Sequence, residues 1–178
     1  MRILGIDPGL RITGYGVIES AGSGLRVLEA GVVKPTGSDL ASRIASLYNG
    51  LSEVLDSFKP QAMAVEQLYA HYDHPRTAIL MGHARGAILL LAAQKNLNIA
   101  SYASTRIKRT ITGHGRASKQ QMQLAIQREL KLAKLPEPAD VADALAVALT
   151  HYFACKSSVV SRPLSVVKTR RSALENET

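Results

Sequence analysis

Two apolar runs in this sequence end on an acid, and that pattern restricts the chain more than any other feature. Ile3, Leu4 and Ile6 lead to Asp7, with Pro8 and Gly9 directly after it, and Ala62 to Val65 lead to Glu66. Short apolar runs bounded by turn residues read as buried strands. A carboxylate that closes such a strand is disfavoured by burial unless it is paired or bound to a cation. Pro8 and Gly9 turn the chain and Gly14 to Val17 restart an extended segment, so Ile3 to Ile18 reads as a hairpin. Something positive must therefore reach both strand ends.

The remaining elements follow in order. Leu25 to Val33 is a third extended segment. Ser38 or Asp39 caps a helix whose apolar positions Leu40, Ile44, Leu47, Leu51, Val54, Leu55 and Phe58 step by three and four until Pro60 stops it. Leu68 to Pro75 is a polar and aromatic loop. Thr77 to Gln94 is a long helix in which Gly82 and Gly86 would let another helix approach closely. Asn98 to Tyr102 is the last strand. A short helix from about Ser104 to Thr110, a loop at Gly113 to Gly115 and a helix from Ser118 to Lys131 come next. A final helix runs from about Ala139 to Phe153, and residues 157–178, without periodicity, are expected to form a mobile tail behind a single domain of residues 1–156. Strands followed by alternating helices and strands make a mixed α/β sheet with helices on its faces.

Asp7 and Glu66 stand at the carboxyl ends of their strands, where open sheets of this kind place their sites. The final helix adds Asp140 and Asp143, which share one face at positions i and i+3, with Ala142, Leu145 and Leu149 turned toward the core. Like charges so close repel each other unless a divalent cation lies between them. Four carboxylates suit Mg²⁺, a hard ion that takes oxygen ligands and works beside phosphate. Two such ions roughly 4 Å apart activate a water and stabilise a leaving alkoxide in phosphodiester cleavage.

Charge is distributed unevenly. Residues 1–100 carry nine Lys and Arg against eight acids, a balance of +1, whereas residues 101–178 carry thirteen against six, a balance of +7. Between Thr105 and Lys134 lie Arg106, Lys108, Arg109, Arg116, Lys119, Arg128, Lys131 and Lys134, with Glu129 as the lone acid. That is the footprint of a phosphate-binding face, although a solvated helix face would read the same way. Cys155, the only cysteine, excludes an internal disulfide, fits a reducing compartment and reads as a small buried helix residue. No signal peptide is evident at the start, and no apolar stretch reaches the roughly 18 residues of a membrane span, so a cytoplasmic protein is expected.

The segments GIDPGLRITGYGVIE, VEQLYA, GHARG, GHGRASKQQMQ and ADVADALAVALTH, in this order and spacing over about residues 1–155, resemble the RuvC family of Holliday junction endonucleases. The resemblance implies a ribonuclease H-like fold with a five-stranded mixed sheet, a homodimer, and magnesium-dependent cutting of two opposed strands at a four-way DNA junction. It places Asp7, Glu66, Asp140 and Asp143 on the family's metal-binding carboxylates, with Mg²⁺ as cofactor and Mn²⁺ as substitute. Lys108 and Lys119 fall on its DNA-contacting positions. Tyr69 stands where many members have a phenylalanine used at the junction centre. The branch-migration proteins RuvA and RuvB are implied as partners. The family also favours the 77–94 helix as the dimer interface, although its apolar residues are equally compatible with core.

Two rival functions fit parts of the chain. An actin-like or sugar-kinase-like ATPase also opens on an apolar strand, an Asp and a glycine turn, but needs a second such half. A non-catalytic DNA-binding module would account for the basic helices and leave the four acids unexplained.

Overall fold

The computed structural model describes residues 1–22, 24–68 and 75–160. At its centre is β1 (Arg2–Asp7), which pairs antiparallel with β2 (Thr13–Ala21) on one side and parallel with β4 (Ala62–Glu66) on the other. The outer strands are β3 (Gly24–Val33), antiparallel to β2, and β5 (Asn98–Tyr102), parallel to β4, giving the order β3-β2-β1-β4-β5. The expected hairpin, third strand and two later strands are all present, and the later two pair parallel.

The strand period of two distributes β1 between the two faces of the sheet. Leu4 and Ile6 enter one core with Met63 and Val65 of β4, covered by α1 (Leu40–Phe58) and by α2 (Pro75–Gln94) through Leu47, Leu51, Ile88 and Leu91. Ile3 enters the other core with Ala64, beneath α3 (Ser104–Thr112), α4 (Lys119–Glu129) and α5 (Ala139–Val160). Asp7 keeps step with Ile3, and Glu66 with Ala64. Alternation alone thus sends both strand-end acids to the face that carries α5.

Capping follows the local sequence. The Ser42 amide donates to Asp39 Oδ1 at 2.8 Å at the start of α1, and the Gln121 amide donates to Ser118 Oγ at 3.2 Å at the start of α4. Each pair is reciprocal, so two otherwise unpaired amide donors are satisfied at each helix start.

Helix α5 departs from its sequence reading in two respects. Ala142, Leu145 and Leu149 are buried as expected, but so are Val141, Ala144, Ala146, Val147, Ala148 and Thr150, which leaves the helix no broad solvent face. It is clamped between the sheet and α3 and α4. It also continues to Val160, past Phe153 and through the start of the expected tail, with Lys156 5.0 Å over the Tyr152 ring and Ser157 Oγ donating to the Phe153 carbonyl at 3.0 Å. Residues 161–178 lie outside the described residues. Cys155 is half-buried, its Sγ 3.6 Å from His151 Nε2.

Helix α2 also differs from expectation. Over Arg76–Gln94 it is long and apolar enough to cross a membrane by length and composition alone, contrary to the expectation that no apolar stretch reaches that length. In the fold it is a packed helix with an uncovered side. Ala84, Ile88, Leu91 and Ala92 are buried, whereas Ile79 and Leu90 are 61% and 55% exposed.

Candidate active site

Glycines on β1 and β2 bring α5 onto the sheet. Gly5 lies opposite Gly16 in the antiparallel pair. A Cβ on Gly5 would lie 2.2 Å from the Ala144 carbonyl oxygen, and one on Gly16 would lie 2.7 Å from Leu145 Cδ2. Without side chains there, the helix backbone rests directly on the strands. Close approach at this end of α5 sets Asp140 and Asp143 beside the end of β1.

Glu66 joins from the neighbouring strand, because Ile6 pairs with Val65 and the next residue of each strand is an acid. The four carboxylates share one electrostatic field. Asp7 is raised from an ordinary 3.8 to about 8, first by burial and then by the charges of Glu66, Asp143 and Asp140, with Lys119 opposing. Burial also raises Glu66; a hydrogen bond from Ser104 lowers it, Asp143 adds to the rise and Lys108 opposes it. Asp143 is raised by burial, against Lys119 and Lys108 and with Asp140.

These carboxylates lie apart. Among the described residues no three Asp, Glu, His or Cys side chains meet at the spacing of a finished metal cage. The set still fits a divalent cation in donor type and charge, since every donor is an oxygen and a cation would favour the ionised form of Asp7 against the burial and the neighbouring acids that keep it protonated. A cleft of about 640 Å³ opens beside Asp7 and Glu66, walled by Pro8, Leu68, Met81 and Ala103 and edged by Gln67, Ser104 and Thr105. It exceeds the 370 Å³ cleft between α3 and α4, whose walls include none of the four acids.

The basic residues separate into two groups. Lys119, in the first turn of α4, acts on Asp7 and Asp143, and Lys108 of α3 acts on Glu66 and Asp143. Arg106 instead lies with its guanidinium 5.0 Å over the Tyr102 ring. Arg109 and Arg116 are exposed, on α3 and on the connection to α4. Tyr69 lies outside the described residues.

Residues 3–151 match the family described as crossover junction endodeoxyribonuclease RuvC. The chain belongs to the RuvC family. The RuvC of Rhodopirellula baltica is 54% identical over 154 residues, covering 85% of this chain and 86% of that protein. Among solved structures, Thermus thermophilus RuvC superposes with a TM-score of 0.80 at 34% identity, covering 89% of this chain and 97% of that one. The same protein in complex with a Holliday junction substrate gives 0.81, covering 89% and 96%. The fold is accordingly ribonuclease H-like, and neither the ATPase nor the non-catalytic module is favoured for a RuvC family member.

Two residues of this RuvC site escaped the sequence reading. Ser104 bonds to Glu66. Arg85 donates from Nη1 to the Glu66 carbonyl oxygen at 2.6 Å. The available signal for Arg85 was an arginine between Ala84 and Ile88 on the buried side of an apolar helix, where a charge needs an internal partner.

Proposed function

We propose that this chain, as a homodimer, resolves four-way DNA junctions by Mg²⁺-dependent hydrolysis of one phosphodiester in each of two opposed strands, with Asp7, Glu66, Asp140 and Asp143 as the metal-binding carboxylates. The observation that carries the reading is Asp7, lifted to about 8 by burial and three neighbouring acids at a strand end. A divalent cation there would favour the ionised forms of Asp7, Glu66 and Asp143, and the oxygen chemistry of the four donors favours Mg²⁺ with Mn²⁺ as substitute. Two ions per site supply, when bound, an activated water and neutralisation of the leaving oxygen.

The protein's own groups position the substrate. Asp7 and Glu66 hold their donors on adjacent strands, and Asp140 and Asp143 approach from α5. Lys119 and Lys108 offset the acidic field, so a phosphate can enter, and Lys119 adds its charge at a helix start that itself favours anions. Arg106, Arg109 and Arg116 extend the DNA-binding face. Tyr69 stacks on a base at the junction centre, so Tyr69→Phe is nearly silent and Tyr69→Ala impairs a fully paired junction more than one already open.

The second copy docks on α2. Gly82 and Gly86 have open space where a side chain would stand, beside exposed Ile79 and Leu90. A two-fold dimer presents two equivalent sites to a substrate of near two-fold symmetry. RuvA and RuvB are the corresponding partners, in the cytoplasm, and the nuclease unit extends through α5 to Val160.

Incubation with a synthetic four-way junction and Mg²⁺ tests the reading. Paired nicks are expected, and Asp7→Asn, Glu66→Gln, Asp140→Asn and Asp143→Asn should each abolish them while junction binding stays intact or tightens. Binding lost in step with cleavage would show the acids to be structural.

A further inference from the structure

Arg85 sits on α2 next to buried Ala84, with Ile88 buried less than one turn further on, yet its guanidinium reaches two strands. Nη1 donates to the Glu66 backbone oxygen at 2.6 Å, and Nη2 donates to Ser101 Oγ of β5 at 2.7 Å. The peptide unit that carries this oxygen is held on its other side as well, because the Gln67 amide donates to the Tyr102 carbonyl at 2.9 Å. Both polar groups of the Glu66–Gln67 peptide are therefore anchored, the carbonyl to α2 and the amide to β5. With that plane fixed, the backbone of Glu66 is restrained on its carboxyl side, and its Cα–Cβ bond leaves the strand end in a set direction.

A guanidinium remains charged under all ordinary conditions, so these are charge-assisted bonds and stronger than neutral ones. Ser101 lies opposite Val65 and Tyr102 opposite Glu66 in the parallel ladder, so one side chain ties together α2, β4 and β5 where the site begins. Groups that orient metal-binding carboxylates from behind commonly matter about 10- to 100-fold in metal affinity or activity.

We propose that Arg85 is a positioning residue, which fixes the Glu66–Gln67 peptide so that the Glu66 carboxylate is aimed at a divalent cation, and which thereby links the metal site to α2. This rests on the reading of Glu66 as a metal-binding carboxylate. Arg85→Met keeps the aliphatic stem and removes the donors.

The test measures Mn²⁺ binding to the free protein from the magnetic resonance signal of unbound Mn²⁺, alongside junction binding in Ca²⁺ and the Mg²⁺ dependence of cleavage. Arg85→Met should raise the half-saturating Mn²⁺ and Mg²⁺ concentrations about tenfold with junction affinity unchanged. Arg85→Lys should recover part of the loss, and Ser101→Ala, which releases only one arm, should shift metal binding in the same direction by less. In the Glu66→Gln background, Arg85→Met should add nothing. An equal loss with and without the Glu66 carboxylate, or a fall in junction binding that tracks thermal stability, overturns the inference. Weakened Mn²⁺ binding in Glu66→Gln with none in Arg85→Met overturns it alone, whereas unchanged binding in Glu66→Gln removes the reading of Glu66 and this inference with it.

Discussion

Asp7 lies directly opposite Gly14 in the β1–β2 ladder, and a Cβ on Gly14 would lie 2.1 Å from the Asp140 carbonyl oxygen. One missing side chain thus sets the distance between two of the site's acids. Gly14→Ala should push the start of α5 off the sheet, with a loss of about 1–3 kcal/mol from overpacking and a larger fall in cleavage than in junction binding. Urea unfolding beside a cleavage assay checks this, and unchanged stability would mean that α5 yields at little cost.

Stability of the metal-free protein should depend on pH in the direction set by Asp7. Its pKa is about 8 when folded, against an ordinary 3.8. The folded state therefore holds the proton more tightly than the unfolded state, and the stability this contributes is present below pH 4 and lost as pH rises toward 8. Thermal melts in chelator from pH 5 to 8.5 should show that decline, Asp7→Asn should flatten it, and Mg²⁺ should raise the melting temperature most at the alkaline end. A wild-type slope that survives in Asp7→Asn would assign the effect to another group.

Lys108 and Lys119 should behave differently from Arg109 and Arg116. On the proposed reading all four bind phosphate, so each alanine variant should flatten the salt dependence of junction affinity by roughly one unit for every phosphate left without its cation. Only Lys108 and Lys119 also act on the carboxylates. Their removal should carry the metal-free pH dependence further upward, because a cation that opposed protonation has gone. Identical pH profiles for all four variants would separate the lysines from the acids.

The uncovered side of α2 gives a prediction in which stability and assembly move in opposite directions. Gly82→Ala meets open space in the single chain and replaces a helix-interior glycine, which should stabilise the helix by roughly 0.5–1 kcal/mol. At a close interface between two copies of α2 the same methyl group obstructs approach. Sedimentation should then show a weaker dimer at higher monomer stability, and an undiminished dimer would place the interface elsewhere.

Much of this protein is determined locally. Apolar period and turn residues define the strands, and the same period of two, read from Ile3 and Ala64, puts Asp7 and Glu66 on one face. Asp39 and Ser118 set their helix starts through bonds three residues away, and the spacing of Asp140 and Asp143 is a property of the helix itself. Tertiary structure decided what lies against each face. Helix α5 is buried on nearly every side, so its sequence has no polar stripe from which its orientation could be read, and its approach is governed by Gly5, Gly14 and Gly16 on other elements. Among similar basic residues, packing turned Lys108 and Lys119 to the acids and Arg106 to Tyr102, a choice that charge pattern does not encode. Arg85 lies in an apolar helix, and only the fold brings its guanidinium to the carbonyl of Glu66, nineteen residues earlier in the chain.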